Sequence, residues 1–111
     1  MPIIDKYKTI FIHIPKTAGT SIEHTLIDYS LNHRGDLKNW YGKVQGYELD
    51  HSTIKFMKQH CNHYNDSYLK FCVVRNPYER LVSEYNYCKR YFSRFVKSTT
   101  TFREFVLFLK D

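Results

Sequence analysis

The sequence predicts an α/β domain built on a small parallel sheet of about three strands flanked by helices. Three observations predict it. Ile10, Phe11, Ile12 and Ile14 form an apolar run that stops at Pro15 and gives way to a helical pattern. Phe71 to Val74 form a second run, followed by Asn76, Pro77 and Glu79 at the N-cap, N1 and N3 positions of a helix. Between them, residues 43–49 alternate enough for a short third strand, although Gly46 weakens it, and Asp50-His51-Ser52-Thr53 then opens another helix.

In chain order, residues 2–7 are a short lead-in to the first strand. The first helix is expected from about Thr20 to Asn32, with Thr20 and Glu23 at N-cap and N3 spacing and Ile22, Leu26, Ile27 and Leu31 on its inner side. His24 reads as an ordinary exposed histidine. His13, within the strand, is expected to satisfy a neighbouring backbone group. Residues 33–42 are polar and glycine-bearing and read as a loop whose Trp40 and Tyr41 either cover the edge of the core or stack on a substrate ring. The second helix carries Ile54, Phe56 and Met57 inward. His60, Cys61 and His63 bunch at its end and offer no fourth ligand at a suitable spacing, so no metal is expected. Asn65-Asp66-Ser67 is a polar turn.

The third helix, from Pro77 to about Phe95, places Tyr78, Leu81, Val82, Tyr85, Cys88 and Phe92 along one stripe, which reads as core. After a linker at Lys97 to Thr100, Thr101 and Glu104 cap a last helix bearing Phe102, Phe105, Val106, Phe108 and Leu109. That helix is apolar over too much of its circumference to stand alone on a surface.

At 111 residues there is room for one small domain. A hydrophobic content of 42% and an aromatic content of 17% describe a folded chain rather than a disordered one. The net charge of +6 favours anionic partners. Its basic residues are scattered and no nucleic-acid signature is present, so a polyanionic nucleotide fits better than a nucleic acid. Cys61, Cys72 and Cys88 are odd in number, and Cys72 falls in an expected buried strand, which points to a reduced, intracellular chain. Neither a signal peptide nor a membrane span is visible, so the expected location is the cytoplasm.

The chemistry concentrates at Lys16-Thr17-Ala18-Gly19-Thr20-Ser21. A strand, a tight turn and a helix start in succession aim free backbone N–H groups and the positive end of a helix dipole at one point, which suits a phosphate or sulfate. Gly19 lets the backbone approach a ligand, Lys16 adds a full charge, and Thr17, Thr20 and Ser21 add hydroxyl donors. A Walker loop is excluded, because here the lysine precedes the only glycine of the loop. Nor does a carboxylate follow the loop in the pattern of a metal-using NTPase.

Lys-Thr-Ala-Gly-Thr-Ser after a strand ending in His-Ile-Pro resembles the 5′-phosphosulfate loop of sulfotransferases that use 3′-phosphoadenosine 5′-phosphosulfate (PAPS). Arg75-Asn76-Pro77 with Ser83 two helical turns on resembles the 3′-phosphate motif of the same family, and the two motifs occur in the family's order. The resemblance is to the carbohydrate sulfotransferases of the heparan sulfate 2-O type and implies a P-loop-like fold. It also implies that Lys16, Thr17, Ala18, Gly19, Thr20 and Ser21 hold the 5′-phosphosulfate, and that Arg75 and Ser83 hold the 3′-phosphate. In several such enzymes a histidine just after the intermediate strand is the base, a position that falls here on His51. PAPS is then the co-substrate, no metal is needed, and the acceptor is a glycan or another hydroxyl or amine compound.

The relatives carry further strands and helices after the second motif. The chain then reads as an N-terminal half, a natural truncation, or a protomer that pairs through its last helix. As a piece of a longer anchored enzyme it would belong to the Golgi. Three functions compete: an active PAPS-dependent sulfotransferase, a nucleotide-binding remnant without turnover, and a phosphotransferase or basic nucleic-acid module that matches the loops by coincidence.

Overall fold

The computed structural model describes residues 2–26, 40, 42–93 and 96–110, and the chain separates into two compact units, Met1–Val74 and Arg75–Asp111. The first unit holds a mixed sheet. Strand β1 (Ile3–Ile4) runs antiparallel to β2 (Thr9–Ile12), and β2 runs parallel to β5 (Leu69–Cys72), so that β2 is central. The registers pair Ile3 with Ile10, and Thr9 to Ile12 with Leu69 to Cys72. The sheet has the expected number of strands but is mixed and not all parallel, because its third strand comes from the lead-in, where a short 3-10 turn at Asp5–Tyr7 folds β1 back antiparallel to β2.

Residues 43–49 do not supply the third sheet strand. They form a separate hairpin of β3 (Lys43–Val44) and β4 (Tyr47–Glu48). Gln45 and Gly46 at its tip have φ of 49° and 87°, the paired left-handed conformation of a tight hairpin turn. Gly46 suits that geometry and Gln45 is forced into it, so the glycine reverses the chain instead of merely weakening a strand. The hairpin base is closed by Leu49 N–H to the Gly42 carbonyl and by Gly42 N–H to Asp50 Oδ1, both 2.8 Å.

The alternation of β2 sends its side chains to two faces. Ile10 joins Ile3, Trp40, Leu49, Met57 and Cys61 in one buried cluster, which helix α2 (Ile54–His60) covers through Met57. Phe11 turns to the other face and meets Phe71 at 5.1 Å between ring centroids and His13 at 5.7 Å. Burial of a side chain such as Ile10, Phe11 or Met57 contributes about 1.5–3 kcal/mol. Helix α1 spans Gly19–Leu26, and its expected continuation over 27–32 lies outside the described residues, as do 33–39 and Tyr41. Trp40 does cover the core, and its indole N–H donates to Ser52 Oγ at 2.7 Å.

Two further expectations in this unit are corrected. Cys72 is exposed, because β5 is an edge strand covered on fewer sides than β2. The first helix is not capped by Thr20. Its first bond runs from Ile22 N–H to the Ala18 carbonyl, and Glu23 turns away from the helix start to a buried partner. The cap of α2 is as local signals require, with Thr53 Oγ1 accepting from Phe56 N–H. Asn65 Oδ1 accepts from Ser67 N–H at 2.9 Å and closes the polar turn before β5.

The second unit pairs α3 (Pro77–Tyr91) with α4 (Phe102–Phe108). Asn76 Oδ1 accepts from the N–H groups of Tyr78 and Glu79, and Pro77 occupies N1. Thr101 and Glu104 form a complete capping box on α4. Tyr85 ties the two helices together: its hydroxyl donates to the Thr100 carbonyl at 2.6 Å, and its ring meets Phe102 and Phe105. The remainder of the stripe expected as core is not buried. Tyr78 is 80% exposed, and Val82 and Phe92 are also exposed, because among the described residues of this unit α4 alone packs on α3. On α4 itself Phe105 is buried and Leu107, Phe108 and Leu109 are exposed.

Candidate anion loop and histidine cluster

Past β2 the chain turns through Pro15 to Ala18 into α1. Lys16 and Ala18 both have φ of 64°, a left-handed conformation that costs a non-glycine residue about 1–2 kcal/mol each. Left-handed residues in a loop can turn neighbouring N–H groups toward one side, as they do in anion-binding nests. Strain of this kind persists where the surroundings enforce it and concentrates at functional loops. The loop runs directly into the first turn of α1, where Gly19, Thr20 and Ser21 precede the first intrahelical bond and their N–H groups have no i−4 carbonyl.

The loop residues divide by role. Thr17 is buried, and its hydroxyl donates to the Ile14 carbonyl at 2.8 Å, so the hydroxyl braces the loop and is not offered to a ligand. Lys16 is half-buried, while Ala18, Thr20 and Ser21 are exposed. Gly19 is buried, and the reason for its glycine is internal. A Cβ built there would collide with Cδ2 and Nε2 of the His13 ring and lie 2.7 Å from Cε1.

His13 is the residue that sequence reasoning passed over. It is 9% exposed, and its Nδ1 lies 2.6 Å from Oε1 of Glu23, itself 3% exposed. A carboxylate accepts, so Nδ1 of His13 carries the hydrogen. The ring rests on Gly19 and meets the ring of His51 edge-on, with centroids 4.5 Å apart. His51 Nδ1 is 3.3 Å from the backbone carbonyl of His13. A carbonyl only accepts, so this contact makes Nδ1 the donor and leaves the lone pair of the exposed His51 on Nε2.

His51 therefore reaches the carboxyl end of β2 by a route the sequence did not suggest. The strand before it belongs to the hairpin, not to the sheet, yet the turn at Asp50–Ser52 returns the ring to His13. One sign of the buried pair was present in the sequence. Glu23 falls three residues before Leu26 and four before Ile27, so an acid stands on the apolar stripe of its helix.

Arg75 and Ser83 belong to the second unit. Arg75 immediately precedes the Asn76 cap, and its Nε lies 3.4 Å from Glu79 Oε2 in a largely exposed pair. Ser83 is half-buried on α3, about two turns further on.

Elsewhere in the first unit, a cleft of about 260 Å³ is lined by Trp40, Val44, Tyr47, Leu49, Phe56 and His60. Among the described residues no three His, Cys, Asp or Glu side chains are grouped to hold a metal, and no helix is long and apolar enough to cross a membrane.

A strained loop thus joins the central strand to a helix, with a histidine pair beside it. The sequence model of the sulfotransferase family matches residues 1–111, and the chain belongs to that family. No curated protein and no solved structure matches it.

Proposed function

We propose that this sulfotransferase-family chain binds PAPS and transfers its sulfuryl group to a hydroxyl or amine of a carbohydrate. The observation that carries the reading is the backbone of Lys16 to Ser21. Two left-handed residues lead into the first turn of α1 beside a lysine, and a backbone of this kind supports the reading of an anion site.

PAPS supplies the sulfuryl group, and adenosine 3′,5′-bisphosphate leaves as the acceptor oxygen or nitrogen bonds to sulfur. The work left to the protein is positioning and charge stabilisation. Lys16 neutralises the 5′-phosphate side, where charge grows as the sulfur–oxygen bond breaks. The N–H groups of Gly19, Thr20 and Ser21 and the hydroxyls of Thr20 and Ser21 supply donors, while Thr17 holds the loop in shape. Arg75 exchanges its exposed pairing with Glu79 for the 3′-phosphate, with Ser83 as the second contact. His51 takes the acceptor proton on Nε2, a role worth typically about 10²–10⁴ in rate. The aromatic lining of the cleft beside Trp40 and Tyr47 suits the apolar face of a sugar ring.

Calorimetric titration with adenosine 3′,5′-bisphosphate against ATP tests the nucleotide assignment. The bisphosphate is expected to bind at least about tenfold more tightly, a difference of about 1.4 kcal/mol. Equal affinities would remove the 3′-phosphate site from the proposal. Sulfate transfer from PAPS to a panel of glycans then separates an enzyme from a protein that only binds the nucleotide.

A further inference from the structure

Three contacts meet at His13. Its Nδ1–H is held by Glu23 of α1, its ring fills the space beside Gly19, and its backbone carbonyl faces Nδ1 of His51. His13 and Glu23 are both buried, whereas His51 is exposed. A buried imidazole bonded to a buried carboxylate has one ring orientation and one set of neighbours, because any other leaves a polar atom without a partner. Among the described residues no buried side-chain nitrogen or oxygen lacks one.

We propose that Glu23 and His13 are positioning residues for His51. By holding the His13 backbone where its carbonyl accepts from His51 Nδ1–H, they fix the tautomer of His51 and leave the Nε2 lone pair outward. They also tie the base to the anion loop, since the ring that Glu23 orients is the ring on which Gly19 rests. Neither residue touches the reacting atoms. Their effect on turnover rests on the reading of His51 as the base, but their effect on its tautomer does not.

The test is the nitrogen spectrum of the histidine rings in the full chain, with His51 assigned by its loss in His51→Gln. Wild type is expected to show His51 protonated on Nδ1 at a pH where the ring is neutral. Glu23→Ala is expected to lose that preference, and Glu23→Gln, which keeps an acceptor oxygen, to retain it. If Glu23→Ala does not fold, His13→Phe, which keeps a ring beside Gly19 but cannot bond Glu23, takes its place with the same expectation. A wild-type His51 protonated on Nε2, or a tautomer indifferent to Glu23→Ala and His13→Phe, overturns the inference.

Where a glycan is turned over, Glu23→Ala should lower kcat about tenfold or more and leave the Kd for adenosine 3′,5′-bisphosphate within about threefold. An unchanged kcat in His51→Gln would instead remove His51 as the base, with the tautomer result standing by itself.

Discussion

The ring of His13 occupies the space that any side chain on Gly19 would need. A glycine in an anion loop is commonly explained by the approach of a ligand, but here it is required by a neighbour in the protein. Gly19 is at the start of a helix without a left-handed φ, so alanine is acceptable to the backbone there. Gly19→Ala is therefore expected to destabilise the first unit through its collision with the ring, by about 1–3 kcal/mol as for overpacked cores. His13→Ser should remove that penalty in the double variant. Denaturant unfolding of both single variants and the double variant gives the coupling, and additive effects would refute this explanation of the glycine.

Lys16 combines a charge with an unfavourable backbone conformation. Lys16→Gly should relieve the strain by about as much as glycine adds in unfolded-state entropy, leaving the melting temperature within a few degrees of wild type. Turnover should fall by about 10²–10³, the usual effect of removing one stabiliser of transition-state charge. Steady-state transfer assays beside thermal melts check both halves of the expectation.

Arg75 and Glu79 form an exposed pair of little intrinsic strength. Arg75→Ala should weaken adenosine 3′,5′-bisphosphate about ten- to hundredfold, as loss of a charge-assisted hydrogen bond does, and change adenosine 5′-phosphosulfate by less than about threefold. Glu79→Gln, which frees the guanidinium, should not weaken the bisphosphate. Equal losses for the two nucleotides in Arg75→Ala would assign the arginine elsewhere.

Trp40 is 2% exposed and bonded to Ser52, whose hydroxyl in turn donates to the Leu49 carbonyl at 2.7 Å. Trp40→Ala should cost about 3–5 kcal/mol in urea unfolding. Ser52→Ala, which leaves the indole N–H without its acceptor, should cost about 1–3 kcal/mol. If the tryptophan served chiefly to stack on an acceptor, transfer would suffer while stability held.

Glu104 accepts from both the backbone N–H and the hydroxyl of Thr101, and the backbone bond is the larger cause holding its carboxyl below the usual range. Asp66 is likewise lowered, first by its hydrogen bond to Lys58 and then by Tyr64. A carboxyl lowered by folding contributes stability above its unfolded pKa and loses it as pH falls through the folded value. Both caps and turns should thus be indifferent to pH from neutrality down to ordinary carboxyl values and weaken below them. Amide spectra of residues 101–108 across an acid titration check this for α4, and Glu104→Gln, which keeps an N3 acceptor, should flatten the acid limb.

Much of the local structure was legible. Asn76 with Pro77, Thr53, and Thr101 with Glu104 each declare a helix start within three residues, and all three formed. Local signals failed where a distant partner competed. Glu23 at N3 spacing read as half of a cap, but a buried imidazole ten residues away took its carboxylate. A stripe on α3 read as core, but none of it is buried: Leu81, Tyr85 and Cys88 are half-buried and Tyr78, Val82 and Phe92 are exposed.

The sequence by itself determined the strand, turn and helix of the loop, the three caps, the basic charge and the family, because each is written in neighbouring residues or in the order of motifs. Only the tertiary structure decided that residues 43–49 reverse into a hairpin, that the lead-in completes the sheet, and that His13 joins Glu23, Gly19 and His51. These depend on groups up to 38 positions apart, and their pairing follows from which surfaces leave water together.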